Sequence, residues 1–80
     1  MERRRKARMR TLKSARIVFN QHHSVIDCTV RNLSPLGACL NVASALGIPE
    51  RFDVIFDADQ SMRKCRMVWH KERQIGVEFA

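Results

Sequence analysis

Arg4, Arg5 and Arg8 stand close together near the N-terminus, flanked by Arg3, Lys6 and Arg10. A guanidinium can fork onto phosphate oxygens or pair with guanine O6 and N7. Its plane also stacks on a base, which an ammonium group cannot do. Several arginines in one short stretch can therefore divide phosphate pairing from base recognition. A second set of polar residues lies downstream in Asn32-Leu33-Ser34-Pro35-Leu36-Gly37. The Asn32 amide and Ser34 hydroxyl can bond nearby backbone in an Asx-type turn, or offer the same groups to a base edge or a phosphate. Gly37 suits a position that needs positive φ or the close approach of a ligand.

Other reactive residue types do not assemble into chemistry. Cys28, Cys39 and Cys65 are odd in number, form no C-x-x-C pair and sit inside apolar runs. There a free cysteine behaves as a small hydrophobe, and reduced thiols in a cytoplasmic protein are expected. His22-His23 reads as a polar hairpin turn, since no further ligands at suitable spacing complete a metal site. Asp53, Asp57, Asp59 and Glu72 fall beside turns as solvated carboxylates. No nucleophile–base pair and no hydrolytic metal cluster emerges, so neither catalysis, metal nor cofactor is expected.

The charge is concentrated where the arginines are. Residues 1–16 hold eight basic side chains against Glu2, and the rest of the 80-residue chain balances, so the net charge of +7 resides in that segment. Such a segment attracts phosphate in a nucleotide, a nucleic acid or a lipid headgroup. Eighty residues allow one small core and little room for a deep cleft. No apolar stretch approaches the ~20 residues of a membrane-spanning helix, and no apolar segment follows the basic start as in a secretory signal.

The elements that must position these residues read as short β-strands parted by turn chemistry. They are Ala15–Phe19, Val25–Asn32, Ala38–Val42, Phe52–Phe56, Arg63–His70 and Ile75–Phe79, with Gly37, Gly47, Pro35 and Pro49 in the connections. Period two sets Ile26, Cys28 and Val30 against Asp27, Thr29 and Arg31. It groups Ala38, Leu40 and Val42 on one face, and Cys65, Met67 and Trp69 on another. Six such strands argue for an all-β barrel or sandwich, whose closure removes exposed edges.

The spacing Arg4-x-x-x-Arg8 followed by Asn32-x-Ser34-x-x-Gly37 resembles the PilZ domain family, whose signatures are R-x-x-x-R and [D/N]-x-S-x-x-G. Val68-Trp69 and the closing Ile75-Gly76-Val77-Glu78-Phe79 extend the resemblance over essentially the whole chain. It implies a six-stranded antiparallel split barrel (residues 13–80) preceded by a flexible basic arm (residues 1–12), with little or no C-terminal helix because the chain ends at Ala80. It further implies a cyclic di-GMP receptor in which the arm folds over the barrel rim. Arg4, Arg5 and Arg8 would bind the ligand from the arm, and Asn32, Ser34 and Gly37 from the rim. Arg3 and Arg10 are secondary candidates that first of all set the local field. Trp69 is a packing residue that doubles as a candidate stacking platform. The implied output is a protein partner, in motility, exopolysaccharide synthesis or related bacterial signalling, with the receptor a monomer or weak dimer. An alternative is a small basic barrel that binds RNA or single-stranded DNA. One Trp and no Tyr make a thin stacking surface for that role.

Overall fold

Six apolar–polar alternations each form a strand, and pairing of the fourth with the first and of the sixth with the third closes the sheet on itself. The computed structural model describes residues 9–80, with side chains from Leu12 onward. The strands are β1 (Met9–Phe19), β2 (Ser24–Leu33), β3 (Gly37–Val42), β4 (Arg51–Phe56), β5 (Met62–His70) and β6 (Gln74–Phe79). All pairings are antiparallel, in the closed order β1-β2-β3-β6-β5-β4. No helix occurs among the described residues.

Period two delivers the core. Ile17, Val30, Leu40, Val54 and Ile75 are fully buried inside the barrel, with Ala15, Cys28, Val42, Phe52, Cys65 and Val77 around them. Each fully buried aliphatic side chain contributes roughly 1.5–3 kcal/mol. Ala45 and Ile48, from the connection between β3 and β4, pack against this cluster. That connection is tied to the β5–β6 turn by Ala45 N–H donating to Glu72 O (3.1 Å), while Val42 N–H donates to Arg73 O (3.0 Å).

The first strand is longer than its alternation suggests. Met9 and Arg10, within the segment read as the arm, pair with Leu33 and Asn32 of β2. Their partners lie more than twenty positions away, so local pattern does not reveal the pairing.

Three breaks in register interrupt the ladders. Between β1 and β2 the ladder shifts between Arg10 and Lys13. Between β2 and β3 it runs from Val30 opposite Leu40 to Asn32 opposite Cys39, leaving Arg31 as the extra residue. Between β5 and β6 it runs from Met67 opposite Val77 to Trp69 opposite Gly76, leaving Val68 extra. Each extra residue reverses the facing of the side chains that come after it.

Candidate functional site

The β2–β3 turn is built by Ser34 and Gly37. Ser34 N–H donates to Gly37 O at 2.9 Å. The Ser34 hydroxyl accepts from the N–H groups of Leu36 and Gly37 and donates to Gly37 O, each at 3.3 Å. Its one donor and two acceptor positions are thus all used within the turn. The bonds are long, so a ligand atom can exchange for one of them at small loss.

Gly37 lacks one of the two features inferred from the sequence. Its φ is not positive. A close approach does exist at Gly37, from β6: a Cβ at residue 37 would lie 2.1 Å from the Val77 carbonyl oxygen. Asn32 also stands apart from the turn. It lies in β2, between Arg10 of β1 and Cys39 of β3, and its amide makes no hydrogen bond to another described residue.

The expected face of Trp69 is corrected by the bulge at Val68. Simple alternation keeps Trp69 with Cys65 and Met67, toward the core. Its cross-strand partner is instead Gly76, whose neighbours Ile75 and Val77 point inward. Residues directly opposite share a face, so Trp69 is on the outside, with 41% of its surface exposed. The bulge at Arg31 does the same for Asn32. An outward row therefore crosses four strands in the order Asn32, Cys39, Gly76, Trp69.

An open depression of about 930 Å³ lies along this row. It gathers Asn32, Ser34, Gly37 and Trp69, together with Arg31, Leu36, Cys39, Val68, Gly76 and Glu78. The sequence does not assign the second group to the site, because nothing local distinguishes an outward Cys39 or Glu78 from any other strand residue. Arg31 does carry a local signal, since it directly precedes the motif. Small-molecule pockets span ~300–1,000 Å³, so the depression is at the large end.

Charge in the depression is mixed. Glu78 is held from behind by Arg66, whose Nε donates to Glu78 Oε1 at 3.2 Å and whose Nη2 pairs with the same oxygen. Arg66 Nη1 also lies 3.9 Å from Glu50. This partner neutralises much of the carboxylate's repulsion toward an anion. Lys71 Nζ is 5.9 Å from the centroid of the Trp69 ring, a weak cation–π contact. Arg3, Arg4, Arg5 and Arg8 lie outside the described residues, as does the side chain of Arg10.

Elsewhere the titratable groups hold the surface together. His22 Nε2 and Asp53 Oδ2 are 3.2 Å apart, joining the β1–β2 turn to β4. Arg16 Nε lies 3.3 Å from Asp57 Oδ1, and Asp59 Oδ1 accepts from Ser61 N–H at 3.0 Å. Among the described residues, no three His, Cys, Asp or Glu side chains gather in a metal-binding arrangement.

In comparison with known proteins, the family model described as PilZ domain matches residues 2–80. No curated protein matches the chain.

Proposed function

The chain belongs to the PilZ domain family, a family of cyclic di-GMP receptors, and from that premise we propose that it binds cyclic di-GMP in the depression beside the β2–β3 turn. The observation that carries the reading is the convergence of Asn32, Ser34, Gly37 and Trp69 on one open depression at the end of β2. The root of the arm is close at hand, because Met9 pairs with Leu33. Covalent geometry keeps every Cα from Arg4 to Arg8 within about 18 Å of Met9.

In this reading Arg4, Arg5 and Arg8 fork onto the phosphates and the guanine O6/N7 edges, while Arg3 and Arg10 raise the local positive potential. Asn32 offers an amide donor and acceptor to a base edge. Ser34 exchanges one of its turn bonds for the ligand, and the absent side chain of Gly37 lets β6 pack against the turn and hold the rim in place. Trp69 offers a π-face to a base. Neutralising the arm docks it on the barrel and changes the surface a partner protein meets. The role is reception, with no reaction catalysed. Three free cysteines fit a reducing compartment, the cytoplasm.

Calorimetric titration with cyclic di-GMP tests the proposal. Binding is expected in the intact chain and is expected to be lost in Arg4→Ala and Arg8→Ala. An intact chain that gives no heat and no thermal shift at high micromolar ligand overturns it. So does binding of oligonucleotides that cyclic di-GMP fails to displace.

A further inference from the structure

Gly76 lies in β6 with Trp69 opposite it on one side and Cys39 on the other. A Cβ built on Gly76 would stand 2.1 Å from Trp69 Nε1, 2.2 Å from Cε2 and 2.7 Å from Cδ1. The pyrrole side of the indole therefore occupies the space that a side chain at residue 76 would fill. The backbone does not require glycine for any other reason, since Gly76 has no positive φ. The obstacle is also not the far end of a flexible chain: it is a rigid ring whose own backbone is fixed in the ladder opposite.

We propose that Gly76 is a positioning residue for the base-binding face of the depression, acting through Trp69. The proposal rests on the reading of the depression as a cyclic di-GMP site. The bulge at Val68 brings Trp69 to the outer face, and the bare α-carbon of Gly76 lets the indole fold inward over β6. Neighbouring strands are ~4.8 Å apart, so this moves the ring about one strand closer to Cys39 and Asn32 than its own backbone lies. The platform and the Asn32 amide then serve one ligand. With any side chain at residue 76 the ring has to swing away, and the two halves of the site separate.

Trp69 is the chain's one tryptophan, so its fluorescence reports this ring alone. Cyclic di-GMP should quench that emission in the intact chain. Calorimetric affinities are then compared for the intact chain, Trp69→Ala, Gly76→Ala and the double variant. Base–aromatic stacking predicts a loss of roughly ten- to a hundredfold in Trp69→Ala, and a similar loss in Gly76→Ala. In the Trp69→Ala background, where no ring remains to be struck, Gly76→Ala should change affinity less than about twofold.

Unchanged affinity in Gly76→Ala overturns the proposal and leaves the receptor reading intact. An equal loss from Gly76→Ala in both backgrounds also overturns it, because that marks a distorted sheet. Emission that saturating cyclic di-GMP leaves unmoved overturns it as well. If Gly76→Ala alone fails to fold, the double variant should fold and bind as Trp69→Ala does, and a double variant that is also unfolded overturns the proposal. No binding by the intact chain overturns the receptor reading, and this proposal with it.

Discussion

Ser34 and Gly37 close the β2–β3 turn on each other: the N–H of Ser34 donates to Gly37 O at 2.9 Å, and the N–H of Gly37 donates back to Ser34 Oγ at 3.3 Å. Two residues of the motif that suggests ligand binding are thus first of all each other's structural partners. Gly37 is in turn pressed against the carbonyl of Val77, which locks the turn to β6. A ligand arriving at this rim meets groups that are already held in place, and little further ordering is needed to bind it.

The two residues should respond differently to substitution. Ser34→Ala removes three long hydrogen bonds but keeps the backbone bond, so a loss of about 1 kcal/mol is expected, with the barrel intact. Gly37→Ala drives a methyl group into the backbone of β6, which cannot rotate away, and about 2–3 kcal/mol is expected. Urea denaturation of both variants, read by Trp69 fluorescence, gives the comparison. A milder effect from Gly37→Ala than from Ser34→Ala would contradict the packing argument.

Arginine at residues 4 and 8 should not be replaceable by lysine. An ammonium group keeps the charge but loses the fork and the stacking plane. Arg4→Lys and Arg8→Lys are therefore expected to weaken cyclic di-GMP binding by about tenfold or more, since charge-assisted hydrogen bonds are worth ~1.5–3 kcal/mol. Calorimetry at constant salt measures this. Equal affinity in the lysine variants would reduce the arm to a nonspecific field.

Stability should fall at alkaline pH. Burial pushes the thiols of Cys28 and Cys65 from an ordinary 9.0 up to about 12. Near Cys28, the negative charges of Asp27 and Asp57 push in the same direction. The folded chain then holds these protons more tightly than the unfolded chain. Their contribution is complete below pH 9 and is lost as pH rises from 9 toward 12. Thermal melts from neutral pH to about 11 should show the decline, and Cys28→Ala combined with Cys65→Ala should make it shallower. Cys39, half-buried on the depression, should react first with a thiol reagent in the native state.

The β1–β2 turn offers a gain. Asn20, Gln21 and His22 all have positive φ, at 56°, 55° and 69°. Left-handed backbone disfavours a residue with a Cβ by ~1–2 kcal/mol, which glycine avoids at some entropic loss. Gln21→Gly should therefore raise stability by up to about 1 kcal/mol. A lower melting temperature in this variant would show that the Gln21 side chain makes a contact of its own.

Much of this molecule is legible before folding is considered. The alternations of Ile26-Cys28-Val30 and Ile75-Val77 mark strands with one buried face, and Leu33 to Gly37 marks a turn. Those are local properties of chain geometry and solvent. The location of the net charge is simply additive. By contrast, the pairing of β3 with β6 and of β1 with β4 joins segments far apart in the chain, and no local pattern specifies it.

The site divides along the same line. The sequence by itself determined which residue types are available: the arginines of the arm, the Asn32, Ser34 and Gly37 turn set, and a lone Trp69. Only the tertiary structure decided which way Asn32 and Trp69 face and why Gly37 and Gly76 are bare. A bulge is an extra residue relative to a partner strand, so Arg31 and Val68 are extra only once β2 meets β3 and β5 meets β6. Those two partners turn Asn32 and Trp69 outward onto one depression. The neighbours of Gly37 and Gly76, a carbonyl and an indole from other strands, leave no space there for a side chain.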